Sequence, residues 1–284
     1  MSPQDTYPWP GDTTAGLCVT VDFDGESPHL WRTRAEPPRG VAELEQRRYG
    51  PHRGVWNVLA AFARLGLRAT FYVPGWIART YPDAVRAIHD DGHEIALHGW
   101  LHEPPTDLTT AELRDTLERA ASELEGLTGR APTGYRSPSW QMTPETFDVL
   151  RSLGLEYDSS LMGEDRPYLV EGLVEVPVDW ATDDAPYYRY AAGDPRPPAF
   201  PHALVAAWRD EIAAAERHGS LCMLTIHPFL SGRPARLSPL EDLLAEVLDH
   251  PGLHVDTVAR LASHHRDVSA GHPSRSLDRP EVRS

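Results

Sequence analysis

Two aspartates close an apolar segment near the start of the chain. If residues 19–25 form a strand, Asp22 and Asp24 lie on the same face, because successive side chains of a strand point to opposite faces. Two carboxylates this close repel each other, and a bound cation would relieve the repulsion. One carboxylate would then be a metal ligand and the other a general base. A solvated strand end is the equally good alternative for this pair alone.

Two of the 14 histidines, His98 and His102, stand four residues apart. Both can bind one metal ion, as in other His-x-x-x-His sites. Because Pro104 and Pro105 follow directly, we expect a strand end and a turn here rather than a long helix. With Asp24 the histidines complete a set of two imidazoles and one carboxylate, which leaves positions open for water and substrate. The alternative is two incidental histidines.

Three further residues follow apolar, strand-like segments. Arg136 could pair with a carboxylate base and fix its orientation, and Trp140, four residues later, could form a pocket wall. His227 is a candidate general acid, and Asp158 is the candidate neighbour that sets its pKa. A surface arginine and a histidine that ends a strand are the alternatives for these segments taken singly.

The segment 180–188 is aromatic and acidic and follows a predicted strand. We expect it to close one side of the substrate pocket, with Asp184 and Tyr187 among the substrate-binding residues. A subunit contact or a purely structural loop fits the same composition.

Apolar, β-rich segments alternate with amphipathic helical segments along the chain. This alternation indicates an α/β fold with a mostly parallel sheet and helices outside it, and about seven such units favour a barrel. The candidate residues follow the strands, and active sites of parallel α/β barrels assemble at the carboxyl ends of the strands. The pattern therefore predicts one site built from residues far apart in sequence.

The composition limits the class of protein. The chain has 284 residues, 40% of them hydrophobic, and a formal net charge of −15. This charge argues against nucleic acid and anionic membranes as partners. No apolar run approaches the roughly 20 residues of a membrane span, and residues 1–16 lack the basic start of a signal peptide, so we expect a cytoplasmic protein. We expect an extension over 1–16, a catalytic domain over 17–265 and a disordered tail over 266–284.

The motifs, taken in order, resemble those of the polysaccharide deacetylase family with the NodB-type fold, carbohydrate esterase family 4. The resemblance extends over residues 17–265. It rests on Asp22-Phe-Asp24, on His98 and His102, on Arg136-Ser-Pro-Ser-Trp140, on Asp158, and on Leu224-Thr-Ile-His227.

The resemblance implies a distorted (β/α) barrel of about seven strands. It also implies a role for each matched residue: Asp22 as the base, Asp24, His98 and His102 as ligands of a divalent metal, Arg136 as the residue that orients the base, and His227 as a general acid supported by Asp158. We expect Zn²⁺, with Co²⁺, Ni²⁺ or Fe²⁺ as alternatives. Ser137, through a backbone N–H near it, and Trp140 are expected to contact the substrate.

Two features separate this chain from the classical members of the family. The segment that begins at Asp158 lacks the tryptophan that those members carry there. Residues 48–54 and 180–187 look like an intracellular branch that contains peptidoglycan deacetylase-like proteins, a ring-opening allantoinase and cyclic imide hydrolases. Because members of this branch are often homotetramers, we expect a homo-oligomer.

The expected activity is metal-dependent hydrolysis of a non-peptide amide bond, as an N-deacetylase of an N-acetylated sugar or a related small metabolite. Ring opening of a cyclic imide or ureide is the alternative within the same chemistry. A non-haem Fe(II) oxygenase would use the same two-histidine, one-carboxylate set, and a binding domain would need no chemistry. The second carboxylate, Asp22, and the further histidine, His227, favour hydrolysis.

Overall fold

One mixed sheet forms the centre of the molecule in the computed structural model, which describes residues 7–191, 193–269, 271 and 273–277. The nine strands are β1 (Ala15–Asp22), β2 (Thr70–Val73), β3 (Glu94–Leu97), β4 (Gly134–Tyr135), β5 (Tyr157–Asp158), β6 (Tyr168–Val170), β7 (Leu173–Glu175), β8 (Leu221–Ile226) and β9 (Leu253–Val255).

The strands follow the order β6-β7-β5-β4-β3-β2-β1-β8. All neighbours are parallel except β6 and β7. On β1, residues Thr20–Asp22 pair with β2 and Ala15–Leu17 pair with β9, while β8 occupies the opposite edge. Because β6 and β8 are not hydrogen-bonded to each other in the described residues, the sheet forms an incomplete barrel. The prediction of an α/β fold of the distorted-barrel type is confirmed.

Helices surround the sheet. Their bounds are α1 (Ser27–Arg32), α2 (Ala42–Tyr49), α3 (Val55–Leu65), α4 (Gly75–Thr80), α5 (Pro82–Asp90), α6 (Thr110–Thr128), α7 (Pro144–Ser152), α8 (Ala185–Tyr188), α9 (Pro201–His218), α10 (Pro234–Leu248) and α11 (Val258–Val268). No helix among the described ranges is both long and apolar enough to span a membrane.

The longest helix shows why these segments are helical. α6 begins with a reciprocal pair of capping hydrogen bonds between Thr109 and Glu112, and it ends at Gly129, which has a left-handed backbone conformation. Its buried residues are spaced by three, four or seven positions, so they form one apolar stripe against the core. They are Leu113, Leu117, Ala120 and Leu124.

The start of the chain is part of the fold. β1 begins at Ala15, two residues before the predicted start of the domain. Trp9 is buried, its indole N–H donates to the carbonyl oxygen of Gly219, and its ring packs so closely on Gly16 that a Cβ there would lie 2.3 Å from a ring carbon. The described part of the predicted extension therefore packs against β1.

The end of the chain also differs from the prediction. α11 continues to Val268, and the backbone of Arg275 exchanges hydrogen bonds with Leu169 and Glu171 beside β6. The predicted disorder is thus wrong for the described residues between 266 and 277. Its low apolar content misled the prediction, since backbone pairing to a strand edge needs no apolar side chain. Residues 278–284 lie outside the described part of the chain.

A wide, π-type turn over Gly50–Gly54 joins α2 to α3 and packs directly on the backbone that follows β8. A Cβ on Gly54 would lie 2.0 Å from the carbonyl oxygen of Pro228, and one on Gly232 would lie 2.6 Å from the Cα of Gly54. The side-chain amide of Asn57 donates to the carbonyl oxygen of Gly232 at 2.9 Å. Glycine is required at both positions because two backbones meet there.

We predict that Gly54→Ala destabilises the fold by roughly 1–3 kcal/mol, because the added methyl group overlaps backbone atoms that cannot move independently. Gly126→Ala is the matched control. Gly126 is exposed in α6 and its Cβ would meet no atom within 4 Å, so alanine should stabilise that helix by roughly 0.5–1 kcal/mol. Urea unfolding of the variants measures both effects, and equal stability of Gly54→Ala and the unsubstituted protein would refute the close approach.

Candidate metal centre and active site

The carboxyl ends of four parallel strands bring the candidate residues together. Asp22 is the last residue of β1, and Asp24 lies two residues beyond it. His98 directly follows β3, Arg136 directly follows β4, and His227 directly follows β8. These side chains are all buried. The site therefore forms where the sequence predicted it, at one edge of the sheet.

A tight turn, not a helix, brings His102 to the same point as His98. Gly99 and His102 both have positive φ, +73° and +60°. The buried carboxylate of Glu103 accepts hydrogen bonds from the backbone N–H groups of Trp100 and Leu101 and so closes the turn. The expectation of a strand end and a turn agrees with this geometry.

Asp24, His98 and His102 have the geometry of a metal-ligand set. The Nε2 atom of His98 lies 3.3 Å from Oδ1 of Asp24, and the Nε2 atom of His102 lies 3.6 Å from Oδ2 of Asp24. Ligand atoms around a tetrahedral ion at ~2.1 Å are separated by about 3.4 Å. All three ligand atoms lie within 4.8 Å of one another.

The hydrogen bonding of these side chains also fits a cation. Oδ1 of Asp24 and Nε2 of His98 are buried, and neither has a hydrogen-bond partner among the described residues. His98 Nδ1 lies 2.7 Å from the carbonyl oxygen of Arg136, which assigns the ring proton to Nδ1 and leaves a lone pair on Nε2. Unpaired buried acceptors that face one another are costly unless a cation lies between them.

Burial and neighbouring charges shift the pKa values of all three residues; burial lowers the pKa of His98, but Asp24 and Asp22 outweigh it and raise the pKa. Burial lowers the pKa of His102 to about 4, so its imidazole is neutral at neutral pH. Burial raises the pKa of Asp24, but His102, His98 and His227 outweigh it and hold the pKa below its ordinary value. A neutral imidazole and an ionised carboxylate are the forms that bind metals.

Arg136 holds Asp22 in place. Its guanidinium is fully buried, lies 4.0 Å above the centre of the Tyr72 ring, and donates from Nη1 to Oδ1 of Asp22 at 2.8 Å. The same nitrogen donates to the hydroxyl of Thr20 at 2.9 Å, and Nη2 donates to the hydroxyl of Ser159 at 3.0 Å. Oδ2 of Asp22 lies 3.9 Å from Nε2 of His98. One carboxylate oxygen is thus occupied, and the other is beside the ligand set.

His227 is supported by Asp184 and not by Asp158. Nδ1 of His227 lies 2.7 Å from Oδ1 of Asp184, and the backbone N–H of His227 donates to Oδ2 at 2.9 Å. The hydroxyl of Ser231 also donates to Oδ2. Nε2 of His227 lies 3.6 Å from Oδ2 of Asp24. Asp184 therefore fixes the ring of His227 with Nε2 towards the ligand set.

The carboxylates around His227 control its charge. Burial lowers its pKa, but Asp184, with Asp183 and Asp24, outweighs this effect and raises the pKa to about 10. The imidazole is therefore a proton donor at neutral pH. Burial raises the pKa of Asp183 to about 7, with Asp184 adding to the rise and His227 opposing it.

Asp158 has a different environment. Its Oδ1 accepts a hydrogen bond from the hydroxyl of Ser160 at 2.8 Å, and burial raises its pKa and, strongly, that of the adjacent Glu175. Two buried carboxyls with raised pKa values share a proton. The predicted pairing of Asp158 with His227 is wrong because this pair lies on neighbouring strands, β5 and β7, away from β8.

The same network changes the expectation for Ser137. Its backbone N–H donates to the hydroxyl of Ser160 at 2.8 Å, and its own hydroxyl donates to the carbonyl oxygen of Gln141. The amide of Ser137 is thus occupied and does not face a substrate oxyanion. Ser137 instead holds the turn that carries Trp140.

The ligand set opens into a cavity of about 360 Å³. Trp140 and Trp180 form one wall, with ring centres 4.0 Å apart, and Trp140 has a strained φ of +54°. Phe229 lines the cavity on the side of His227. Trp140 is therefore placed as predicted, and this volume fits a single small ring or one sugar unit.

The segment 180–188 contributes less to the cavity than predicted. Trp180, Asp183 and Ala185 line it. Tyr187 lines a separate depression together with residues 194–199, and Asp184 is buried behind His227. Asp184 and Tyr187 are not among the residues that line this cavity, because the 3₁₀ turn Trp180–Thr182 and the short α8 direct them away from it, and their contact with substrate stays a prediction.

Sequence reasoning missed Asp184 as the partner of His227 and missed Arg47 in the cavity wall. Asp184 follows an isolated bridge between Asp183 and Thr225, which leaves no strand-like pattern to mark it. Arg47 lies in a helix far from any strand end. The two adjacent aspartates at 183–184 were the one sequence feature that pointed to this partner of His227. Two adjacent acidic residues alone, however, are compatible with any loop.

The chain is similar to known proteins over much of its length. The family model described as "Polysaccharide deacetylase" matches residues 49–157. The peptidoglycan deacetylase of Helicobacter pylori is 30% identical over 241 residues, which cover 74% of this chain and 82% of that protein. A protein from Mycobacterium smegmatis, assigned to the polysaccharide deacetylases, is 35% identical, with a TM-score of 0.89 and 98% of each chain covered.

The PuuE allantoinase has a similar fold, with a TM-score of 0.79 at 23% identity and 94% of each chain covered. The relatives at 30% and 35% identity cover 74% and 98% of this chain, and the predicted family resemblance is confirmed. This chain belongs to the polysaccharide deacetylase family.

Proposed function

We propose that the protein is a metal-dependent hydrolase of carbon–nitrogen bonds other than peptide bonds, and that it removes the acetyl group from an N-acetylated sugar or a related small metabolite. The observation that carries the proposal is that the side chains of Asp24, His98 and His102 lie together, with a carboxylate on one side of them and a histidine on the other. Asp22 lies on one side, held by Arg136, and His227 lies on the other, held by Asp184.

A divalent cation fits the three residues because their ligand atoms lie within 4.8 Å of one another, and Oδ1 of Asp24 and Nε2 of His98 are buried without hydrogen-bond partners. We expect Zn²⁺. When bound, such a cation lowers the pKa of water and polarises a substrate carbonyl. The histidine and carboxylate donor set suits this role, and the open side of the set faces the cavity.

Asp22 and His227 each carry out one proton transfer. Asp22 accepts a proton from the attacking water, because Arg136 occupies Oδ1 and leaves Oδ2 beside the ligand set. His227 donates its Nε2 proton to the leaving nitrogen, because Asp184 fixes Nδ1 and favours the protonated ring. The amide carbon–nitrogen bond breaks, and acetate and a free amine result.

Ring opening of a cyclic imide or ureide is the second candidate, and the size of the cavity is compatible with it. A volume of about 360 Å³ suits a small heterocycle as well as a sugar unit. The likeness of the fold to the PuuE allantoinase is compatible with this reaction. The same base, acid and ligands would cleave a ring amide, and one product would carry the new carboxylate together with the released nitrogen, as an amide from an imide ring or as a urea group from a ureide ring.

A hydrolysis screen separates the two candidates. Metal-loaded protein is incubated with N-acetylglucosamine, muropeptides, cyclic imides, hydantoins and allantoin, and released acetate and ring-opened acid are measured. Acetate release supports deacetylation, and ring-opened acid supports the second candidate. No hydrolysis of any compound by protein that contains stoichiometric metal would contradict the proposed function.

We predict that the two aspartates respond differently to removal of their charge. Asp22→Asn should retain the metal and lose roughly 10²–10⁴-fold in kcat, because it removes the proton acceptor but no ligand. Asp24→Asn should weaken metal binding, because a neutral amide is a poorer ligand than a carboxylate. Metal content by elemental analysis, with metal-titrated activity, measures both variants.

Excess metal should partly restore Asp24→Asn and leave Asp22→Asn inactive. The role assignment is reversed if Asp22→Asn loses the metal and Asp24→Asn keeps it. If both variants keep metal and full activity, the proposed site is wrong.

We also predict that Asp184→Asn changes the dependence of kcat on pH. The loss of activity on the alkaline side, which is the alkaline limb of the profile, should occur at a lower pH than in the unsubstituted protein. Asp184 is the main group that raises the pKa of His227, and His227 acts as an acid only while protonated, so a lower pKa ends activity at a lower pH. Asp158→Asn is the matched control and should leave the limb in place, because Asp158 does not contact His227. A shifted limb in Asp158→Asn, with none in Asp184→Asn, would contradict the observed pairing.

A further inference from the structure

Arg47 is a buried cation in the wall of the catalytic cavity. It is 3% exposed and lines the same cavity as Asp24, His102 and His227. Its Nε atom is buried without a hydrogen-bond acceptor, and no hydrogen bond of its guanidinium is found within the described residues. A buried guanidinium with free donors is costly unless a ligand supplies the acceptors.

The carboxylates around Arg47 compensate its charge only in part. In the described chain, Glu43 alone has a carboxylate oxygen within 4.0 Å of it, at 3.6 Å from Nε. Glu43 is 37% exposed in its side chain and also pairs with Arg32 at 2.5 Å and with His29 at 3.3 Å. Asp24 lies further away and faces the histidines.

The position of Arg47 is fixed by the fold. It lies in the last turn of α2, and the Gly50–Gly54 turn holds this end of the helix against the backbone after β8. Its guanidinium lies 4.9 Å above the centre of the Phe229 ring, two residues after His227. The position of Arg47 relative to His227, the proposed acid, is therefore fixed by the fold.

Three more arginines line the same cavity nearer to solvent, Arg32, Arg34 and Arg189. The chain as a whole carries a net charge of −15. The lining also contains the carboxylates of Asp22, Asp24, Asp107 and Asp183, so the four guanidinium groups are the part of the wall that attracts an anion. The planar donors of arginine match a carboxylate in two parallel hydrogen bonds.

We propose that the substrate carries a carboxylate near the scissile amide and that Arg47 binds it. The inference rests on the proposed amide hydrolysis for the identity of the scissile bond. The carboxylate accepts from the unpaired donors of Arg47 while the amide lies between Asp22 and His227. Arg47 is then a specificity-determining residue that selects acidic amides over neutral ones.

Binding of matched ligand pairs tests the proposal without turnover. N-acetylmuramate and N-acetylglucosamine differ by a carboxylate-bearing lactyl group on the same sugar, and succinamate and succinamide differ by a carboxylate in place of an amide. Isothermal titration of metal-depleted protein removes the metal as a second carboxylate site. The acidic member of at least one pair should bind about tenfold tighter or more, the usual gain of a charge-assisted hydrogen bond.

Arg47→Gln should abolish this preference, and Arg209→Gln is the matched control. Arg209 forms an exposed ion pair with Glu246 in another part of the surface, so its substitution should leave the preference unchanged. A preference in the sugar pair identifies a saccharide carboxylate, and one in the succinyl pair identifies a small acyclic acid. Either result supports the proposal.

Equal binding of both members of each pair by the unsubstituted protein would overturn the proposal, whether or not Arg47→Gln folds. A preference that persists in a folded Arg47→Gln would overturn it as well. The proposed function fails separately: if the metal-loaded protein hydrolyses no amide but still prefers the acidic ligands through Arg47, hydrolysis alone is refuted.

Discussion

The buried ion pair between Arg136 and Asp22 is the interaction on which the rest of the site depends. The guanidinium is fully buried and reaches four strands, because it contacts Asp22 and Thr20 of β1, Thr225 of β8 and Ser159 after β5 from its own place after β4. Removing one partner of such a pair leaves an uncompensated buried charge, at a cost of roughly 3–5 kcal/mol. The strand ends are therefore held together by the same contact that orients the proposed base.

This pair also explains how two carboxylates on one strand face can have different roles. Arg136 neutralises Asp22 and occupies one of its oxygens, so Asp22 is held beside the ligand set. Asp24 has no such cation and instead faces the imidazoles of His98 and His102. On the opposite side, Asp184 gives His227 the complementary support. The proposed base and the proposed acid are thus each fixed by a partner of opposite charge, with the candidate metal ligands between them.

The sequence was sufficient for the parts of the site that lie at strand ends. Asp22, Asp24, His98, Arg136 and His227 follow strands whose periodicity and apolar content are plain, and parallel pairing must bring their ends to one edge. The parallel arrangement of the strands and the family motifs therefore predicted their meeting without any knowledge of side-chain packing.

The partner of His227 and the position of Arg47 in the cavity wall could not be predicted in this way. Asp158 satisfied the strand-end rule, yet β5 is separated from β8 by four strands, a distance set by sheet order and not by local sequence. Asp184 reaches His227 from an irregular loop, and Arg47 reaches the cavity because Gly54 permits a close backbone contact. These placements depend on tertiary packing of segments that carry no periodic signal.

The central claim is that Asp24, His98 and His102 bind one divalent cation while Asp22 remains bound to Arg136. A crystal structure of the metal-supplemented protein, with anomalous diffraction measured at the absorption edge of the metal, tests it most directly. The account predicts one anomalous peak per chain at roughly 2.0–2.2 Å from those three residues, with the Arg136–Asp22 contact intact. A peak elsewhere, or a cation ligated by Asp22 in place of Asp24, would contradict it.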